Sequence, residues 1–336
     1  MRKKAFSSFL ILSSLVTALS FILIENARAK DKSQDILICA TSEEYRLKYD
    51  RQRLKEKFPN LNIRVDYQPT GILAAKLLAE KNRTKCDIVL EMEYGYLEKI
   101  SPFLEPLGSG YSDLFVEDVV AAPRKFGHKW TPALRNGGAV LINPEVLKNH
   151  NVPWPQSYED LLRPEYKNLI SMPNPKNSGT GYMFVKSLIN AWGEEKALSY
   201  FDKLSKNILQ FTSSGSGPVN ALVQGEVGVG LGMTAQGVTA INNGAPLRIL
   251  FFKEGSPFTL YGSGIVRGKQ DKAEVKKVFD FVVNTLNREN VEKFYPEKVY
   301  KNFDATIKNY PTKINYSDMK NDSWEEKVRV LEKWEH

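Results

Sequence analysis

Histidine and cysteine are nearly missing from this chain, with three and two in 336 residues. Apart from the terminal His336, only His128 and His150 remain. Neither accompanies a G-x-S-x-G elbow, an H-E-x-x-H pair or any spaced ligand cluster. The usual nucleophilic and metal-assisted hydrolases therefore find no support in the sequence, and neither a resident metal nor a cofactor is expected. No G-x-G-x-x-G follows the first apolar strand, so a dinucleotide site has no support. Basic runs interleaved with aromatics are absent, which argues against nucleic-acid binding. There is no internal repeat and no low-complexity segment.

Long apolar runs are confined to the first thirty residues. Arg2, Lys3 and Lys4 precede an apolar stretch from Phe9 to Ile24, and Ala27-Arg28-Ala29 supplies a small-x-small cleavage pattern. This reads as a secretory leader cleaved after Ala29 (residues 1–29), with export to a periplasm. The stretch is about long enough for a membrane anchor, but serines interrupt it and the cleavage pattern follows at once. With no cysteine at that point, a lipid anchor is not expected. An exported chain meets little ATP or NAD. The whole chain carries a formal charge of +8, of which the first 29 residues hold +3. The remaining excess alternates with acidic residues along Glu43 to Lys57 and Glu325 to Lys333, as solvated helix faces do.

Cys39 falls within one apolar strand and Cys86 at the start of another. If those strands are parallel and begin at equivalent points, the two cysteines lie four residues out of step, roughly 13 Å apart. That is too far to bridge, so both are expected as buried free thiols.

Short apolar runs alternate with helical patterns from the first strand onward. Asp35 to Ala40 reads as a buried strand feeding a helix to Lys57, capped by Thr41 or Ser42. Asn62 to Tyr67 and Asp87 to Leu90 are further strands, with a helix from Gly71 to Lys81 between them. This βαβαβ order predicts a parallel sheet with helices on both faces. A second unit begins near Ala133, with strands at 133–143 (interrupted at Gly137-Gly138), 169–172, 208–211 and 227–233. Helices are expected at 178–191, 193–206 and 218–224. Apolar runs at 247–252 and 262–266 follow, then an amphipathic helix over 271–286 and a polar helical tail. Two α/β lobes joined by two crossing strands are the simplest arrangement: 30–134 with about 256–300, and 135–255 with about 301–336.

The candidate site residues lie where strands hand over to helices. Ser178, Gly179 and Thr180 open one helix. Ser213, Ser214, Gly215 and Ser216 open another, with Pro218 in its first turn. Small residues at a helix start expose backbone N–H groups to an anion, and hydroxyls add donors. Ordinary capping explains either loop alone. Two in one lobe, with Thr41 and Ser42 in the other, point to a ligand in a cleft at the carboxyl ends of the strands. Glu93 and Thr234 follow two further strands, and Arg135-Asn136 lies on the presumed crossing segment, Arg135 as a fork for phosphate or carboxylate. Trp130 and Tyr261 are candidates for the cleft wall.

The run Trp154-Pro155-Gln156-Ser157-Tyr158-Glu159-Asp160-Leu161-Leu162-Arg163-Pro164-Glu165-Tyr166-Lys167 resembles a segment of ABC-importer periplasmic solute-binding proteins. The match is with the group that binds ferric ion, thiamine, phosphonates and sugar phosphates. Ile170 to Pro175, Ser178 to Tyr182, Val223 to Gly230 and Gly262 to Val266 continue the resemblance over nearly the whole exported chain. It implies a two-lobe type 2 periplasmic-binding fold that closes on a solute and delivers it, as a monomer, to a membrane permease and its ATPase. Ferric-ion members carry adjacent tyrosines just after the segment matching Gly225 to Leu231. Here Gly232-Met233-Thr234-Ala235-Gln236-Gly237 has none. No aromatic occupies the Thr212 to Gly217 loop for a thiamine ring. An organic phosphate or phosphonate is the expected ligand. A metal chelate, thiamine or a polyamine remains the alternative within the class, and Glu91, Glu93 and Glu226 on a ligand-facing wall would favour a cation. A secreted hydrolase is the alternative outside it.

Overall fold

Short apolar runs, most of them followed by a helical stretch, build the sheets. A computed structural model describes residues 35–336, and the leader with its cleavage point lies outside the described residues. Among the described residues there are nine strands: β1 (Asp35–Ala40), β2 (Asn62–Tyr67), β3 (Ile88–Glu93), β4 (Thr131–Ile142), β5 (Ile170–Pro173), β6 (Ile208–Thr212), β7 (Val229–Met233), β8 (Arg248–Leu250) and β9 (Phe258–Ile265). Their order is β2-β1-β3-β9-β4-β7-β5-β6, with β8 added on β4. β1 runs parallel to both β2 and β3, whereas β9 is antiparallel to β3 and β4.

Two strands pass between the lobes. The first part of β4 pairs with β9 as far as Gly137, and from Gly138 onward it pairs with β7. The expected interruption at Gly137-Gly138 is thus a change of partner within one continuous strand. A Cβ on Gly138 would come within 2.7 Å of Met183 Cε and 2.9 Å of Phe184 Cζ. The missing side chain is what lets the helix Gly179–Trp192 lie on the crossing strand.

Each lobe has its own core. Ile38, Ile88, Phe279 and Leu286 are buried in the first, and Ile170, Phe184, Leu188 and Phe201 in the second. The tail departs from expectation. Only Trp324–Glu332 is helical between residue 295 and the end. Pro296 and Pro311 deny helical hydrogen bonds, and Asn302, Asn309 and Asn321 hold positive φ of 54°, 63° and 56°. Phe303, Ile307 and Ile314 also pack on the first core rather than in the second lobe. The chain reaches the second core with Met319, Val330, Leu331 and Trp334.

The cysteines are a second correction. Cys39 and Cys86 form a disulfide, with Cα atoms 5.9 Å apart. The registers of β1 and β3 are in step, Cys39 facing Val89. However, residues 84–87 do not extend β3 backward in line. Asp87 donates to Leu37 O at 2.9 Å and its carboxylate accepts from Leu37 N, while the Cys86 amide turns onto Thr84 Oγ1.

Candidate functional site

The lobes meet over a cavity of about 20 Å³, room for about one water molecule. Loops at the carboxyl ends of β1, β2, β5, β6 and β7 line it together with residues on the crossing strands. This is where an open α/β sheet binds its ligand.

Its floor is a buried ion pair. Arg46, one turn into the helix Glu44–Lys57, forks both terminal nitrogens onto the Glu91 carboxylate, the Nη1–Oε1 contact being 3.0 Å. Ser42 Oγ donates to Glu91 Oε2 at 2.8 Å, and the Thr41 hydroxyl donates to the Glu91 carbonyl. The cap expected of Thr41 or Ser42 therefore falls to the Glu43 backbone, without a side-chain bond. Arg46 also lies 4.9 Å over the Tyr295 ring. With its charge matched by Glu91, the guanidinium brings no net positive charge to the cavity.

Glu43 is the second buried acid. It projects from the first lobe toward the second, where Ser216 meets it with hydroxyl and backbone, and the Tyr67 hydroxyl lies 3.4 Å from Oε2. Burial raises its pKa from 4.5 to about 7, against the lowering influence of Ser216, Arg46 and Tyr67. Below it, burial and the Glu91 charge raise Asp50 from 3.8 to about 7. Between the ordinary carboxyl range and pH 7 the folded protein holds protons that the unfolded chain releases. Stability is thus greatest below the unfolded values and falls as pH rises toward 7, by up to ~3 kcal/mol for Glu43. Glu43→Gln is expected to raise the melting temperature at pH 7.5 and to flatten the gain in stability between pH 7.5 and 5. Melting curves across that range test this, and an unchanged slope would remove Glu43 as its source.

Of the residues singled out in the sequence, Thr41, Ser42, Ser178, Gly179, Thr180, Ser214 and Gly215 line this one cavity. Ser178 caps its helix by accepting from Gly181 N. Ser216 stands just behind the lining, its hydroxyl 2.9 Å from that of Ser214. Four others lie elsewhere. Ser213 is exposed, and Thr234 is fully buried one residue beyond Met233, which does line the cavity. Glu93 lies beneath Gly179 and pairs with Lys327. Arg135 pairs with Asp118 at 2.5 Å and lies over Phe258. Alternation along β4 explains that last placement: Asn136 faces the cavity, so its neighbour faces away. Trp130 is buried in the first lobe, and Tyr261 lines the cavity.

Sequence reasoning missed Glu43, Arg46, Tyr67 and Tyr295, and weighed Glu91 only as a cation ligand. One signal was present in Ile88-Val89-Leu90-Glu91-Met92-Glu93, where two acids in a buried strand demand partners. A register shift between Val89 and Met92 and a positive φ of 53° at Glu91 turn Glu91 to the cavity.

A family model described as bacterial extracellular solute-binding protein matches residues 109–324. The solved periplasmic binding protein P5PA superposes with a TM-score of 0.78 at 24% identity, over 89% of this chain and 98% of its own. AfuA of Actinobacillus pleuropneumoniae, solved with fructose-6-phosphate bound, superposes with a TM-score of 0.77 at 23% identity, over 89% and 97%. A putative 2-aminoethylphosphonate-binding periplasmic protein of Salmonella typhi is 22% identical over 236 residues, 68% of this chain and 66% of that one. The type 2 periplasmic-binding fold is common to these solved structures and this chain.

Proposed function

The chain belongs to the bacterial extracellular solute-binding protein family, and on that footing we propose that it captures a small organic phosphate or phosphonate for an ABC importer. The phosphoryl oxygens sit against the helix starts at Ser178–Gly181 and Ser214–Gly217, with Thr41 and Ser42 closing from the other lobe. The protein is a monomer, hands its ligand unchanged to a permease and ATPase, and works in the periplasm after loss of residues 1–29. The lobes divide where β4 and β9 cross, near residues 134 and 256.

The observation that carries this reading is the convergence of two helix starts and the Thr41-Ser42 turn on one cavity. Backbone N–H groups at helix starts favour an anion. The fructose-6-phosphate held by AfuA and the 2-aminoethylphosphonate in the name of the Salmonella relative offer the same phosphoryl oxygens. The cavity of about 20 Å³ is too small for either compound, so entry requires the lobes to part about the crossing strands, a hinge motion.

A thermal-shift screen of sugar phosphates, phosphonates, inorganic phosphate, polyamines, thiamine and ferric citrate tests the reading. A phosphoryl ligand at a hundred times its Kd stabilises by about 2.7 kcal/mol. Ser214→Ala is expected to diminish that shift, and Arg135→Ala, outside the cavity, to leave it intact. A shift with polyamines or iron alone overturns the anionic ligand.

A further inference from the structure

We propose that Glu43 is a specificity residue, and that the ligand carries an ammonium group that pairs with its carboxylate beside the phosphoryl group. The proposal rests on the phosphoryl reading and narrows it to zwitterionic ligands.

The argument is one of charge matching inside a closed cleft. Three charged side chains line the cavity: Glu43, Arg46 and Glu91. Arg46 and Glu91 answer one another with both terminal nitrogens and both oxygens. Glu43 has no opposite charge in salt-bridge contact among the described residues. The donors that meet it are neutral, the hydroxyl of Tyr67 and the hydroxyl and backbone of Ser216, while the Arg46 charge that acts on it is paired with Glu91. It is only 8% exposed, so solvent does little to screen it. A buried carboxylate with neutral partners alone is costly, and a carboxylate with two oxygens has acceptor capacity left for a further donor.

Its position makes the cost relevant to binding. A Cβ on Gly215 would stand 3.0 Å from Glu43 Oε1 and 2.5 Å from Thr180 Oγ1. The carboxylate therefore reaches the same wall as the helix-start donors that hold the phosphoryl group. Above pH 7, where Glu43 is ionised, a phosphoryl anion placed there alone meets a like charge at short range, which disfavours binding. A ligand with an ammonium a few bonds from its phosphoryl group removes the conflict, since each end finds its complement. Arg46 cannot serve in place of the ammonium, because releasing it would leave Glu91 buried and unpaired.

Titration calorimetry of the exported chain with three near-isosteric probes tests this: 2-aminoethylphosphonate, 2-hydroxyethylphosphonate and propylphosphonate. The wild type is expected to bind the amino compound at least ~30-fold more tightly than the propyl compound, the low end for a buried charge pair. In Glu43→Gln the ratio falls to within about threefold, with weaker binding of the amino compound. Glu43→Asp, which keeps the charge, retains a preference for the amino compound and serves should the glutamine variant misfold. Equal binding of all three probes by the wild type overturns the role of Glu43 and leaves the phosphoryl reading standing. So does a preference that survives in Glu43→Gln. Binding of none of the three, with a sugar phosphate still giving a thermal shift, overturns the zwitterionic ligand and leaves the phosphoryl reading standing; no shift with any phosphoryl compound overturns both.

Discussion

Lys327→Met is expected to lower folding stability by about 3–5 kcal/mol, the range for removing one partner of a buried ion pair. Lys327 is fully buried in the last helix, and its ammonium contacts the Glu93 carboxylate. The rings of Tyr96 and Tyr182 flank it at 4.6 and 4.5 Å. Burial by itself would lower the Lys327 pKa, but Glu93, Asp322 and Tyr96 more than offset that, and it stands above the ordinary lysine value. Methionine keeps the volume and removes the charge. Glu93 is then left 1% exposed, with only Thr259 Oγ1 at 3.2 Å and Gly95 N at 3.1 Å as donors.

The consequence reaches both lobes. Trp324, at the start of that helix, donates its backbone N–H to Glu98 and stacks edge-on to Tyr96 in the first lobe. Val330 and Trp334, at the far end, lie in the second core. Between them, Glu93 supports the cleft wall, since a Cβ on Gly179 would meet its Cγ at 2.8 Å. The double variant Lys327→Met, Glu93→Gln removes both charges and is expected to recover much of the loss. Urea denaturation of wild type, single and double variants measures the coupling. A loss under ~1 kcal/mol in the single variant, the scale of an exposed pair, would show that the pair is not buried in solution.

Removing the disulfide by Cys39→Ala with Cys86→Ala is expected to cost about 4 kcal/mol, from the chain-entropy relation for a sequence separation of 47. Against a typical domain stability of ~5–15 kcal/mol this is a large fraction. The bridge ties β1, which leads into Thr41, Ser42 and Glu43, to the start of β3, which carries Glu91. Denaturation midpoints of the oxidised protein, the reduced protein and the double variant check the figure. Two titratable thiols in the native, unreduced protein, with a double variant as stable as wild type, would refute it.

Much of the fold was legible because its signals are local. Asp35 to Ala40, Asn62 to Tyr67 and Ile170 to Met172 are short apolar or alternating runs that have no other stable use. Ser178, Gly193 and Gly225 punctuate helices where the pattern places them. The 295–323 segment was misread because its polar composition suits a helix surface, while its prolines and left-handed asparagines forbid the backbone. The cysteine bridge was misread because register alone assumes that the strand continues through Cys86, whereas β3 begins at Ile88 and residues 84–87 lie outside it.

The site divides in the same way. Small hydroxyl residues at strand ends are visible in one dimension, and Ser178, Thr180, Ser214 and Gly215 meet in the cavity. Charged residues are not so readable, since their roles depend on partners far along the chain. Arg135 has the right chemistry and the wrong face of β4. Glu93 has the right strand but serves Lys327, 234 residues away. By itself the sequence determined the strand and helix order, the glycine and serine turns that open two helices, and the family resemblance, because these rest on neighbours within a few residues. Only the tertiary structure decided which acids face the cleft, which arginine is neutralised and which cysteines bridge. Those outcomes follow from long-range pairing and burial, where a charge or thiol is defined by what packing brings against it.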